Sequence, residues 1–195
     1  WDNITGQMAA IALLAAERHR RIEGEGQLVR LALKDVAVAT TSNLGNISEV
    51  SINGEDREKN GNYLYGAFGR DFETKDKKRL MIVGLTPKQW NSIVKATDSE
   101  EEINALEVSM DLDFSKEGDR FKAKEALAKT LEPWFKSRVY DEACTFLDKY
   151  GVCYGPYRTF KQMVEEDTDC SLDNPMMGFI NQPGMNILYC SINAI

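Results

Sequence analysis

Nine consecutive apolar residues, Met8 to Ala16, constrain this chain more than any other stretch. A surface helix keeps a polar side, so a helix without one must be covered almost all round. The run therefore predicts a helix over residues 6–21 that is buried on several sides. Asn3 or Thr5 is placed to cap it. Glu17, Arg18, His19, Arg20 and Arg21 then bring the other end to the surface, with cations that suit the carboxyl-terminal dipole. Gly24 and Gly26 break the helix, and 28–33 (LVRLAL) reads as a strand covered on both faces. Residues 35–41 continue as a short helix.

Residues 42–70 change character. Gly45, Gly54, Gly61, Gly66 and Gly69, with several asparagines, indicate turns, and Arg57, Glu58 and Lys59 form a solvated charge run. Two strands, 65–74 and 79–85, follow with a polar turn at 75–78. Thr86-Pro87-Lys88-Gln89 is a capping box with proline at the first helical position, and it opens a helix through Trp90, Ile93 and Val94. Residues 99–102 read as acidic and exposed. Helices are predicted over 120–135 and 139–150, the second closed by Gly151, then a strand at 152–154 and a last short helix at 159–166. Turn signals at Asn174-Pro175 and Pro183-Gly184 precede a terminal apolar run, 185–195.

A net charge of −7 over 195 residues argues against a general nucleic-acid binder. The longest apolar run is far short of the ~20 residues a membrane span needs, and the opening residues lack the basic start of a secretory signal. Cys144, Cys153, Cys170 and Cys190 form no CxxC pair and share no metal-like spacing with the single histidine, so they read as reduced thiols of a cytoplasmic protein. No metal site is expected. A chain that starts on Trp1, inside what reads as a structured element, looks like a piece of a longer protein.

Few catalytic patterns are present. A hydrolytic triad would have to use His19, which sits in a charged helix end, and Gly24-x-Gly26 lacks the third glycine of a dinucleotide turn. Tyr63, Tyr65 and Phe68 lie between glycines, where they make either a binding loop or an ordinary hairpin edge. Asp2 also has two readings. Ahead of a helix an aspartate commonly caps it or offsets its dipole. The same carboxylate can act as a nucleophile towards an activated acyl group, with backbone amides holding the oxyanion.

Asp2, Gly6, the alanine-rich helix ending in Glu17-Arg18-His19-Arg20, and Gly24-x-Gly26-Gln27 together resemble the signature of the class III CoA-transferases. This family includes formyl-CoA transferase, carnitine CoA-transferase and α-methylacyl-CoA racemase. Tyr65-Gly66-Ala67-Phe68 followed by Thr74-x-Asp76 resembles the family's hairpin, with Lys77 in place of its glycine. Gly151-Val152-Cys153 with Gly155-Pro156 resembles a segment of its small domain. Within the family, WDNITG and GNYLYGAFGRDF are most similar to the mesaconyl-CoA C1–C4 transferases, also called 2-methylfumaryl-CoA isomerases.

The resemblance implies an α/β chain: a partial Rossmann-like large domain (1–42), a linker with a glycine-rich loop (43–69), a small open α/β domain (70–166) and a return linker (167–195). It implies Asp2 as the catalytic residue, passing through an aspartyl-CoA thioester. Gly61, Tyr63, Tyr65, Gly66 and Gly69 would belong to a loop over the substrate. Coenzyme A would be a substrate and no cofactor would stay bound. Partners would be an acyl-CoA, a carboxylate acceptor and a second copy in a homodimer, with no nucleic acid and no membrane. A racemase-type isomerase using the same aspartate is the alternative, and so is a domain that binds a partner or CoA without catalysis. Because the resemblance covers only the middle of the family's sequence, the chain alone is expected to turn over acyl-CoA weakly or not at all.

Overall fold

In a computed structural model of the chain, residues 1–181 and 188–190 are described, and the terminal run at 185–195 lies mostly outside them. The chain forms two compact units, Trp1–Lys59 and a second from Asn60 onward.

The first unit is helical: α1 (Asp2–Glu23), α2 (Leu33–Asn43) and α3 (Asn46–Asn53). α1 begins earlier than predicted. Trp1 occupies the cap position without a side-chain bond, and Thr5 donates both its amide and its hydroxyl to the Trp1 carbonyl, each at 2.9 Å. The helix ends at Gly24, whose φ of 78° lets its amide turn back to Arg20 O at 3.0 Å. Two expectations fail here. None of α1 is buried, and Ile11, Leu13 and Leu14 are 66–69% exposed; Val36 of α2 is the one buried apolar side chain of residues 1–59. The predicted strand at 28–33 is also missing. A strand needs a partner for its backbone groups, none of the described strands pairs with it, and Leu28 is 81% exposed. Residues 25–32 instead run without regular structure into α2.

The second unit is an antiparallel sheet covered by helices. β1 (Phe68–Glu73) pairs with β2 (Arg79–Gly84), which pairs with β3 (Cys153–Pro156), in the order β1-β2-β3. Alternation sends Phe68, Phe72, Leu80 and Ile82 to one face, all at most 2% exposed. Five helices follow, α4 (Pro87–Thr97), α5 (Glu100–Met110), α6 (Glu117–Lys122), α7 (Lys124–Lys136) and α8 (Tyr140–Lys149), and all but α6 supply the rest of that core, through Trp90, Ile93, Ile103, Leu127, Leu131, Phe135 and Leu147. Phe72 stacks on Phe135 with ring centroids 4.4 Å apart, and Phe68 meets Trp90 edge-on at 5.2 Å. A short α9 (Phe160–Glu166) and a two-stranded pair, β4 (Phe179–Asn181) and β5 (Leu188–Cys190), follow.

Local signals explain most boundaries. The capping box at Thr86 forms as predicted, and Thr159 makes a second one with Gln162. The acidic stretch after Ser99 is the first turn of α5, where three glutamates suit the helix dipole. The helix predicted over 120–135 breaks at Ala123 into α6 and α7. The hairpin turn docks on the α7–α8 connection. Lys75 N donates to Arg138 O at 2.8 Å, and Asp76 accepts from the Tyr140 amide at 2.9 Å and the Thr74 hydroxyl at 2.7 Å.

Two predictions follow from these contacts. Phe135→Ala removes half of the ring stack and should cost about 3–5 kcal/mol, read as a lower urea midpoint with unchanged slope. The Thr74 hydroxyl and then the Tyr140 amide hold the Asp76 carboxyl below the ordinary aspartate range. Its contribution is therefore complete above the unfolded value and is lost as pH falls through the folded one. Asp76→Asn should flatten the acid limb of a stability–pH curve, and an unchanged limb would rule this out.

Candidate active-site residues

Asp2 is the first helical residue of α1 and is exposed. Among the described residues, no hydrogen bond or ion pair holds its carboxylate, so it serves as neither side-chain cap nor salt-bridge partner. The first intrahelical acceptor is Trp1 O, bonded by Thr5. The amides of Asp2, Asn3 and Ile4 are therefore left without a helical acceptor, as at any helix start. A free carboxylate beside free amides suits an acyl-transfer centre, because the amides can stabilise negative oxygen. This geometry allows the chemistry without requiring it.

The glycine-rich stretch lies in the second unit. Gly61 (φ 54°) and Gly66 (φ 81°) take left-handed turns that other residues adopt reluctantly. The side chains between them are anchored. The Tyr63 hydroxyl accepts from Arg70 Nη1 at 2.9 Å, with the guanidinium 4.9 Å from the ring centre. Tyr65, still 46% exposed, meets Phe121 of α6 edge-on at 5.1 Å. Asn62 Nδ2 donates to Asp71 Oδ1 at 3.0 Å. Gly69 lies inside β1, and its reason is packing: a Cβ there would stand 3.0 Å from Leu64 Cβ and 3.1 Å from Ile82 O.

Sequence reasoning missed the residues that fix this stretch, namely Arg70 and Asp71. Asp71 is 2% exposed and is paired with Arg79 across the hairpin. The signal lies in the strand register and not in the residues alone. With Asp71 opposite Met81 and Glu73 opposite Arg79, both acids share a face with Arg79. Among the described residues, no group of three His, Cys, Asp or Glu side chains could hold a metal ion, and no helix is long and apolar enough to cross a membrane. Cys144 and Cys153 are free thiols.

Residues 1–177 match the model of CoA-transferase family III. The chain belongs to that family. The 2-methylfumaryl-CoA isomerase of Chloroflexus aurantiacus is 53% identical over 185 residues, covering 95% of this chain and 45% of its own length. The succinyl-CoA–D-citramalate CoA-transferase of the same organism is 24% identical over 166 residues, or 85% of this chain and 39% of the relative. This family member thus spans less than half the length of either curated relative. Crystal structures of the Mycobacterium tuberculosis protein Rv3272 share the fold. One has a TM-score of 0.68 at 23% identity, covering 99% of this chain and 48% of that one. Another scores 0.64 at 23% identity, covering 90% and 44%.

The packing at Gly69 is testable. Gly69→Ala should push Leu64 from the strand and strain the Leu64 N to Gly69 O bond, 2.8 Å long. The cost should be about 1–3 kcal/mol, with faster amide hydrogen exchange over residues 62–66. Unchanged exchange there would show that Leu64 yields freely.

Proposed function

We propose that this chain is the nucleophile-bearing part of an enzyme that moves CoA between carboxyl groups, with the two carboxyls of one C5 dicarboxylate as donor and acceptor. The observation that carries the reading is the family match from residue 1 to residue 177, which covers both Asp2 and the glycine-rich stretch. The 53% identity to a 2-methylfumaryl-CoA isomerase favours the intramolecular form. Transfer between separate molecules has the weaker support of 24% identity to a CoA-transferase.

Asp2 would attack the thioester carbonyl and expel CoA thiolate, leaving a mixed anhydride. The thiolate would attack the aspartyl carbonyl of that anhydride, releasing the substrate carboxylate and forming an aspartyl-CoA thioester. The second carboxylate of the substrate would then attack the aspartyl thioester carbonyl, expelling CoA thiolate again and forming a new anhydride. Attack by thiolate on its acyl carbonyl would give the isomeric thioester and restore the Asp2 carboxylate. Water is the competitor at each anhydride, so a covering loop has a clear purpose. Gly61, Tyr63, Tyr65, Gly66 and Gly69 would form it, rooted by Arg70 and Asp71.

The domain division belongs to the same proposal: residues 1–42 in a large CoA-transferase domain, 43–69 as linker and loop, 70–166 as the small domain and 167–195 as the return linker. So do a cytoplasmic location and a homodimer, in which a second copy would help to cover the apolar flank of α1. Large bare apolar patches are rare on monomers.

The test is a chimaera in which residues 1–177 replace the matching stretch of the Chloroflexus isomerase. It should isomerise mesaconyl-CoA, and Asp2→Asn should lower the rate at least about a thousandfold, as expected for losing a covalent nucleophile. Hydroxylamine added during turnover should leave a hydroxamate on Asp2. A normal rate in the Asp2→Asn chimaera would refute the assignment.

A further inference from the structure

A cleft of about 370 Å³ opens where the hairpin turn, the start of α8 and α9 meet. It lies at the end of the strands away from the glycine-rich stretch, which joins β1 at Phe68. Lys77, Lys78, Arg79 and Arg158 all line it, as do the rings of Tyr140 and Tyr157. Four cations in one cleft stand out on a chain that carries a net charge of −7.

The bonding of these cations decides what the cleft can take. Asp71 and Glu73 orient Arg79, and Glu73 also holds Lys77 at 2.8 Å. Arg158 reaches Asp167 at 2.8 Å through Nη1 but Glu166 only at 3.4 Å through Nε, and among the described residues no bond uses its Nη2. Lys78 makes no ion pair among the described residues and faces the Tyr140 ring at 5.1 Å. The Gln162 carbonyl is occupied by Thr159, and its amide hydrogens have no acceptor among the described residues. Lys77 keeps its place at φ 65°, a left-handed conformation costly for a lysine. The cleft thus holds two oriented guanidinium groups and spare donors, with a half-exposed carboxylate, Glu166, loosely seated on one of them.

A single carboxylate entering here would only exchange with Glu166, gaining little. An anion with several charges and many acceptor oxygens can engage Arg158, Lys78 and Gln162 together, and charge-assisted bonds of this kind are the strong ones. We propose that the cleft binds a diphosphate group, with Glu166 as the resident anion that the ligand displaces. The two tyrosine rings leave room for the group to belong to a nucleotide.

Calorimetric titration of the full chain with inorganic pyrophosphate, and separately with ADP, tests this. Pyrophosphate should bind saturably at one site. Arg158→Gln should weaken binding about tenfold, the scale of one lost charge-assisted contact, and Lys78→Gln should weaken it as well. Glu166→Gln should strengthen it, a gain that cannot come from damage to the fold. Tighter binding of ADP would mean that the tyrosines take the nucleoside; equal binding would mean that the diphosphate alone is read. Lys129→Gln, at an exposed lysine outside the cleft, should change nothing. Absence of saturable binding, or equal losses in Lys129→Gln and Arg158→Gln, would overturn the proposal, as would an unchanged affinity in Glu166→Gln.

Discussion

The carboxylate of Asp71 is out of water, and much of the second unit is arranged around it. Desolvating an anion costs several kcal/mol unless a partner and further hydrogen bonds offset it. Arg79 supplies the opposite charge and Asn62 a donor. Through those two bonds one carboxylate ties the glycine-rich stretch to the hairpin and aims Arg79 towards the cleft at the strand ends. The two ends of the sheet thus share a single electrostatic anchor.

What could be read from the sequence was what local chemistry decides. The hairpin, the Thr86 capping box, the closure of α8 by Gly151 and the apolar face of β2 need only neighbouring residues. Each appears within a few residues of its predicted place. The family was legible too, because the spacing from Asp2 to Gln27 is a pattern along the chain. The failures required information from elsewhere. Residues 28–33 have strand composition but no ladder to join among the described strands. Met8 to Ala16 carry the pattern of a buried helix, yet none of them is buried. A hydrophobic pattern states what a segment needs, and partners decide whether it is met.

The site divides in the same way. Asp2 was visible as a residue, and its freedom from any cap or ion pair among the described residues is what the structure adds. The loop residues were visible as glycines and tyrosines. Their supports, Arg70 and Asp71, were hidden because an Arg-Asp pair in a strand looks like ordinary surface charge until the register is known. Buried at 2% exposure, Asp71 is nothing of the kind.

Gly69 and Gly84 are near neighbours on β1 and β2, and alternation puts them on opposite faces of the sheet. Leu64 presses on the first, and Ile93 and Trp90 on the second, where a Cβ would come within 2.9 Å of Ile93 Cδ1. At these two positions no side chain cushions the sheet backbone, against Leu64 on one face and against α4 on the other. A side chain would act as a cushion, absorbing displacement by changing rotamer; bare peptide cannot. The two glycines therefore make a stiff mechanical joint, so that a shift of the stretch on one side is passed to the helix on the other.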